Sequence, residues 1–141
     1  MTPNCICFST ALSDPHWFHN DMNKFHTFVD SNGVLNGLRC PPLVPGPRCY
    51  NLCSGPNGCA QQPSSCDFLL NYRKQLDSIN LIWLFEKLNQ RVEHTRTMLN
   101  FKARPHVIFL VHEAPDNPCS ERWVIQSWLR DNGIEVVEWI E

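Results

Sequence analysis

The stretch that decides the fold is "HVIFLVHEAPDNPCSERWVIQSWLRDNGIEVVEWI", His106 to Ile140. Its first seven residues, His106 to His112, are a continuous apolar run of strand length. That is the pattern of a central strand covered on both faces. The segment "WVIQSWLRDNG" then changes to helical spacing. Val124, Ile125, Trp128 and Leu129 make its buried stripe, and Gly133 is its stop. "IEVVEWI" reads as a last strand, more polar and nearer an edge. Strand, helix, strand in this order predicts a parallel unit with a right-handed crossover.

Between strand and helix, Asn117 is the expected cap and Pro118 the first helical residue. Cys119 and Ser120 then fall in the first turn, where unpaired backbone N–H groups favour anions. Arg122 adds a fixed cationic fork suited to phosphate or carboxylate. The dipole and the guanidinium would both stabilise a Cys119 thiolate, so a nucleophilic cysteine is chemically reasonable. His112, Glu113 and Asp116 are acid or base candidates on the same rim. Ligands of open parallel sheets bind beyond the carboxyl ends of strands, and this segment follows such an end. The plainer alternative is an efficient helix start in which Arg122 pairs with Glu113 or Asp116.

Upstream, "CICFST" reads as a first strand, with Cys5 and Cys7 as buried, unreactive thiols on one face. "HTFVDSNGVLNGL" has β-prone arms around Asn32-Gly33, a hairpin signal. Two helices are expected in the middle of the chain. The first is "FLLNYRKQLD", with caps available among residues 64–67. The second runs from about Asn80 to about Asn100, with Leu81, Leu84, Leu88, Val92, Thr95 and Leu99 on one face. Arg91, Arg96 and Lys102 near its end complement the helix dipole. His16, His19 and His26, with Asp14 and Asp21, fit no strong motif and read first as loop residues.

Composition shifts sharply from Cys40 to Cys66, where 27 residues hold six prolines, three glycines and five of the chain's eight cysteines. Such a segment is long for a connection and has little side-chain surface for a core of its own. Something else must hold it. Cys49, Cys53, Cys59 and Cys66 fall within 18 residues, and clustered thiolates on a loop suit zinc or a four-iron, four-sulfur cluster. Zinc on four cysteines would be closed and structural, and metal binding would supply folding energy. Reduced thiols or local disulfides are the other readings, and Cys40 is a possible substitute ligand.

The 141 residues suit one domain, and the hydrophobic content of 43% is ordinary for a globular chain. A net charge of −2 argues against gripping nucleic acid by phosphate neutralisation alone. No long apolar span and no basic leader are read at the N-terminus, so a cytoplasmic, non-membrane protein is expected. In a reducing compartment, clustered cysteines favour metal over disulfides.

The tail from Val107 to Trp139 resembles the C-terminal signature of the YeaO-like family of small uncharacterised bacterial proteins. The matching positions are Val107 to Val111, Glu113, Cys119, Arg122, Trp128-Leu129 and Gly133 to Val136. "ICFSTALSDPHWF" is loosely similar to that family's first strand and loop, and "YRKQLDSINLIWLFEKL" to its paired middle helices. The family's Cys-His-Arg stands here as Cys-Ser-Glu-Arg. The resemblance implies an α/β fold with a site at the cysteine–arginine turn.

The expected architecture is therefore one α/β domain over residues 1–141. It holds a three- to four-stranded, largely parallel sheet flanked by helices, with a metal-stapled loop inserted at 40–66. The expected function is anion recognition at 112–122, by Ser120 and Arg122, with Cys119, Arg122, Glu113 and His112 as the catalytic candidates. The ligand would be a phosphate-bearing small molecule or a nucleic-acid end. Two alternatives stand beside it. One is a non-enzymatic module that docks a protein partner on a zinc-stiffened loop. The other is an iron–sulfur redox protein.

Overall fold

The computed structural model describes residues 5–10, 28–29, 34–47, 66–101, 104–111 and 120–138. The chain has the expected α/β fold, with four strands of which three run parallel. Two compact units make it up. One comprises residues 1–41 and 80–110, the other 42–79 and 111–141.

The first unit holds the sheet. Its strands are β1 (Cys5–Ser9), β2 (Phe28–Val29), β3 (Val34–Arg39) and β4 (His106–Leu110), in the spatial order β2-β3-β1-β4. β1 pairs in parallel with β3 on one side and with β4 on the other. β2 and β3 form the expected antiparallel arms, Val29 opposite Leu35 and Phe28 opposite Asn36. The register between β1 and β3 shifts between Ile6 and Phe8, where two steps of β1 face three of β3. Gly37 supplies the extra residue with φ +99°, a conformation that favours glycine.

The strand at the centre of the sheet is not the one expected. All five residues of β1 are buried, so both its faces are covered. β4 lies at the margin, and among the described residues nothing pairs with its outer side. His106 is exposed and the rest of β4 is half-buried. Both strands read as unbroken apolar runs, and such a run does not say which strand acquires two neighbours. Phe8 and Phe109 meet across the β1–β4 pair with ring centroids 6.4 Å apart, a favourable tilted contact.

The same unit holds α2 (Leu81–Met98). The Asn80 side chain caps it by accepting from the Trp83 amide at 3.1 Å. Leu84, Leu88, Val92 and Thr95 are its buried stripe, as the spacing predicts, while Leu99 is exposed beyond its end. Near that end Arg96 pairs with Glu93 across one turn.

The second unit is built on α1 (Asp67–Asp77) and α3 (Glu121–Asp131), which pack on one another. Phe68, Leu69, Tyr72 and Leu76 are buried on α1, and Ile125, Trp128 and Leu129 on α3. Large apolar side chains of this kind contribute ~1.5–3 kcal/mol each when removed from water. On the outside, Arg73 joins the two helices, reaching Asp131 at 2.8 Å, Ser127 at 3.3 Å and Asp77 at 3.0 Å. The Asp131 hydrogen bond, and with it Asp77, raises the Arg73 pKa against the cost of desolvation.

α3 ends as predicted at Gly133, with φ +80°. The Gly133 amide donates to the Arg130 carbonyl at 3.0 Å and the Ile134 amide to the Leu129 carbonyl at 2.9 Å. This double closure is a Schellman motif. The expected last strand does not form over residues 134–138, which have neither helical nor strand pairing. Side chains of α3 hold that segment instead.

Candidate functional site

The helix that opens the expected site starts later than its sequence suggests. Its cap is Ser120, in extended conformation, not Asn117. The Ser120 hydroxyl oxygen accepts from the Arg122 amide at 3.2 Å. Asn117 and Ser120 both belong to the class of capping residues, and the later one takes the role. Two consequences follow. Cys119 lies before the cap in sequence, outside the described residues. Arg122 moves into that turn, as its second residue.

Ser120 is fully buried and Glu121 nearly so, and the Ser120 oxygen is committed to the helix start. Glu121 has the sign that suits the positive end of a helix dipole. Arg122 has the opposite sign, and a cation in a first turn is electrostatically disfavoured unless an anion joins it. One does. Nη1 of Arg122 donates to Oε2 of Glu138 at 2.9 Å, with the Arg122 side chain only 16% exposed. Glu138 is thus one partner of Arg122; the expected partners Glu113 and Asp116 lie outside the described residues.

The other Glu138 oxygen is held as well. Nε2 of Gln126 donates to Oε1 of Glu138 at 2.6 Å. Gln126 is itself buried, at 7% exposure. Its own oxygen accepts from Nη2 of Arg130 at 3.2 Å, which leaves the amide nitrogen facing the carboxylate. Arg130 also donates to the Val136 carbonyl at 3.1 Å. Arg122, Gln126 and Arg130 recur every four residues and so share one stripe of α3. Together they grip both oxygens of one carboxylate and one backbone carbonyl. The spacing stands in the sequence as Arg-x-x-x-Gln-x-x-x-Arg, but it matches no motif that marks Gln126 or Arg130 as site residues.

A second set of contacts answers what holds the start of the Pro/Gly/Cys-rich segment. Residues 41–43 form a 3-10 turn with Leu43 buried. Four of the seven residues from Pro41 to Pro47 are proline and lack an amide donor. Side chains of α1 supply what the backbone cannot. Tyr72 donates its hydroxyl to the Leu43 carbonyl at 2.5 Å. Nε2 of Gln75 donates to the carbonyls of Val44 and Pro42 at 2.8 Å and 3.2 Å. Its Oε1 accepts from the Gly46 amide at 2.9 Å.

Of the expected metal ligands, Cys66 is described. It is buried, has no disulfide, and stands at the N-cap of α1 without making a capping hydrogen bond. Cys49, Cys53 and Cys59 lie outside the described residues, as do His112, Glu113, Asp116, Asn117, Pro118 and Cys119. So do His16, His19, His26, Asp14 and Asp21. Among the described residues no group of three or more His, Cys, Asp or Glu side chains could hold a metal ion. Cys5, Cys7 and Cys40 are buried. Also among the described residues, no helix is long and apolar enough to cross a membrane.

At the carboxyl end of the sheet, Thr10 donates both its amide and its hydroxyl to the Leu110 carbonyl, at 2.9 Å and 3.0 Å. The Cys40 amide donates to the Ser9 carbonyl at 2.9 Å. These bonds tie the ends of three parallel strands together within the first unit. No family model, curated protein or solved structure matches the chain.

Proposed function

We propose that this chain is a metal-binding α/β protein that recognises an oxyanion in the segment 112–122, where a phosphate-bearing small molecule or a nucleic-acid end would bind. The observation that carries the reading is Arg122. It is largely buried in the first turn of α3 and already holds a carboxylate oxygen at 2.9 Å. Guanidinium forks suit carboxylate and phosphate alike. The order of strands supports the same reading, since segment 112–119 follows the carboxyl end of a parallel strand in the chain.

In this reading Arg122 fixes the anion, and Cys119, Glu113 and His112 are the groups available for nucleophilic or acid–base work. Cys49, Cys53, Cys59 and Cys66 would hold zinc, or else a four-iron, four-sulfur cluster. Four thiols are a complete donor set for either, and each would stiffen a loop whose start Tyr72 and Gln75 already hold. Membership of the YeaO-like family and a cytoplasmic location belong to the same proposal. A non-catalytic docking role has one observation in its favour. Ile82 and Trp83 on α2 are large, apolar and exposed, at 75% and 47%.

Two measurements test the reading. Metal analysis of protein purified without oxygen should find one zinc per chain, or iron with broad visible absorbance. Protein that folds with neither, and with all four thiols titratable, ends the metal assignment. Alkylation of Cys119 should be slowed by inorganic phosphate and by nucleotide, and Arg122→Ala should abolish that protection. A Cys119 that reacts at one rate with and without phosphate rules out the anion site.

A further inference from the structure

We propose that Arg122 and Gln126 form a two-point oxyanion site that the chain's own Glu138 occupies, so that the C-terminal segment is a competitive latch on it. The inference rests on the anion-binding reading of Arg122 and adds the regulation of that site. Arg122 donates to one carboxylate oxygen and Gln126 to the other, at 2.9 Å and 2.6 Å. A free carboxylate or a phosphate group offers the same pair of acceptor oxygens. The Glu138 carboxylate stands where the ligand's oxyanion would sit.

The two donors and their occupant lie on different segments. Arg122 and Gln126 project from one stripe of a regular helix. The Gln126 amide is buried and is oriented by Arg130, which donates to its oxygen. Arg130 is therefore a positioning residue for the site. The occupant, in contrast, is carried by a segment that no helix or strand pairing holds over residues 134–138. Val137, next to Glu138, is 74% exposed. α3 holds this segment through side chains: Arg122 and Gln126 on the carboxylate, Arg130 on the Val136 carbonyl. Release of the carboxylate leaves the helix and its Schellman closure at Gly133 intact.

A tethered competitor lowers apparent affinity by the fraction of time the site is open. A latch closed for nine-tenths to ninety-nine hundredths of the time therefore weakens a ligand ~10- to ~100-fold. Removing the competing carboxylate should recover that factor.

The test is titration of the full chain with inorganic phosphate, and separately with acetate, read by NMR at the Arg122 side chain and at the amides of Glu121 to Trp123. The proteins are the parent chain, Glu138→Ala, Glu138→Gln and Arg122→Ala, each checked for cooperative thermal unfolding. Both Glu138 variants should bind phosphate at least about tenfold more tightly than the parent, and Arg122→Ala should not bind. If the Glu138 variants bind no more tightly than the parent, while Arg122→Ala loses binding, the latch is wrong and the anion site stands. If no protein binds either probe, the site and the latch fall together. If neither Glu138 variant folds cooperatively, Glu138 is a structural tie and the latch is likewise overturned.

Discussion

Replacing Gln75 by alanine should loosen the start of the cysteine-rich segment without disturbing α1. The side chain makes three hydrogen bonds to a stretch in which prolines have removed most amide donors, at 2.8 Å, 2.9 Å and 3.2 Å. Each ordinary bond contributes ~0.5–1.5 kcal/mol net, and the loss is larger where a buried carbonyl is left unpaired. These bonds are part-buried and one is long, so water recovers some of the loss and ~2 kcal/mol is expected. Alanine suits a helix interior, so no cost arises from α1 itself. A chain of this length should lose ~4–8 °C in Tm. The local readout is sharper. The Gly46 amide donates to Gln75, and ~2 kcal/mol corresponds to about thirtyfold faster hydrogen exchange there. Gln75→Glu keeps the shape but offers acceptors to two carbonyls, so it should be no better than alanine. Tyr72→Phe removes a single bond and should cost ~1 kcal/mol. Unchanged Gly46 exchange in Gln75→Ala, with an unchanged Tm, would refute this account of what holds the segment.

Three further outcomes can be measured by urea denaturation. Ser120→Ala should cost ~1 kcal/mol by removing the cap of α3, more than Asn117→Ala, since Ser120 holds the cap. Gly133→Ala should cost ~1–2 kcal/mol from the left-handed backbone alone, because among the described residues nothing beyond its chain neighbours lies within 4 Å of the added carbon. A double-mutant cycle on Arg73 and Asp131 should give a coupling below ~1 kcal/mol that shrinks further in salt, because both side chains are well exposed, at 30% and 60%.

The helices were legible because a 3.6-residue period leaves a direct trace. Leu84, Leu88, Val92 and Thr95 fall on one stripe whatever surrounds them, and Gly133 is a stop that only a residue free to take positive φ fills well. Strand order left no such trace. "CICFS" and "HVIFL" are equally apolar, and β1 is central because it pairs on both sides, a property of the chain's path. "IEVVEWI" is β-prone, yet over residues 134–138 no strand pairing forms. There the contacts of Val136 and Glu138 with Arg130, Gln126 and Arg122 prevail over propensity. Contacts of this type, like those of Tyr72 and Gln75 some 30 residues from their acceptors, join a side chain to distant backbone or to one distant carboxylate. They follow no period, so no pattern along the chain announces them.

The site was partly legible, and its main error carries information. With Asn117 as cap, Cys119 would sit in the first turn beside the dipole, and Arg122 would lie a turn further on. Ser120 as cap reverses that arrangement. The guanidinium enters the helix's positive end, and Cys119 falls before the cap in sequence. A cysteine gains from a helix N-terminus, whereas an arginine there adds like to like. An arginine largely buried at that position needs an anion beside it to offset both the dipole and the loss of water. In this chain Glu138 is one such anion, and Gln126 binds its second oxygen. The need belongs to Arg122 and the helix, and the carboxylate is brought by a segment without regular structure of its own. On the latch proposal, an oxyanion that presents two oxygens at the same place takes over from Glu138.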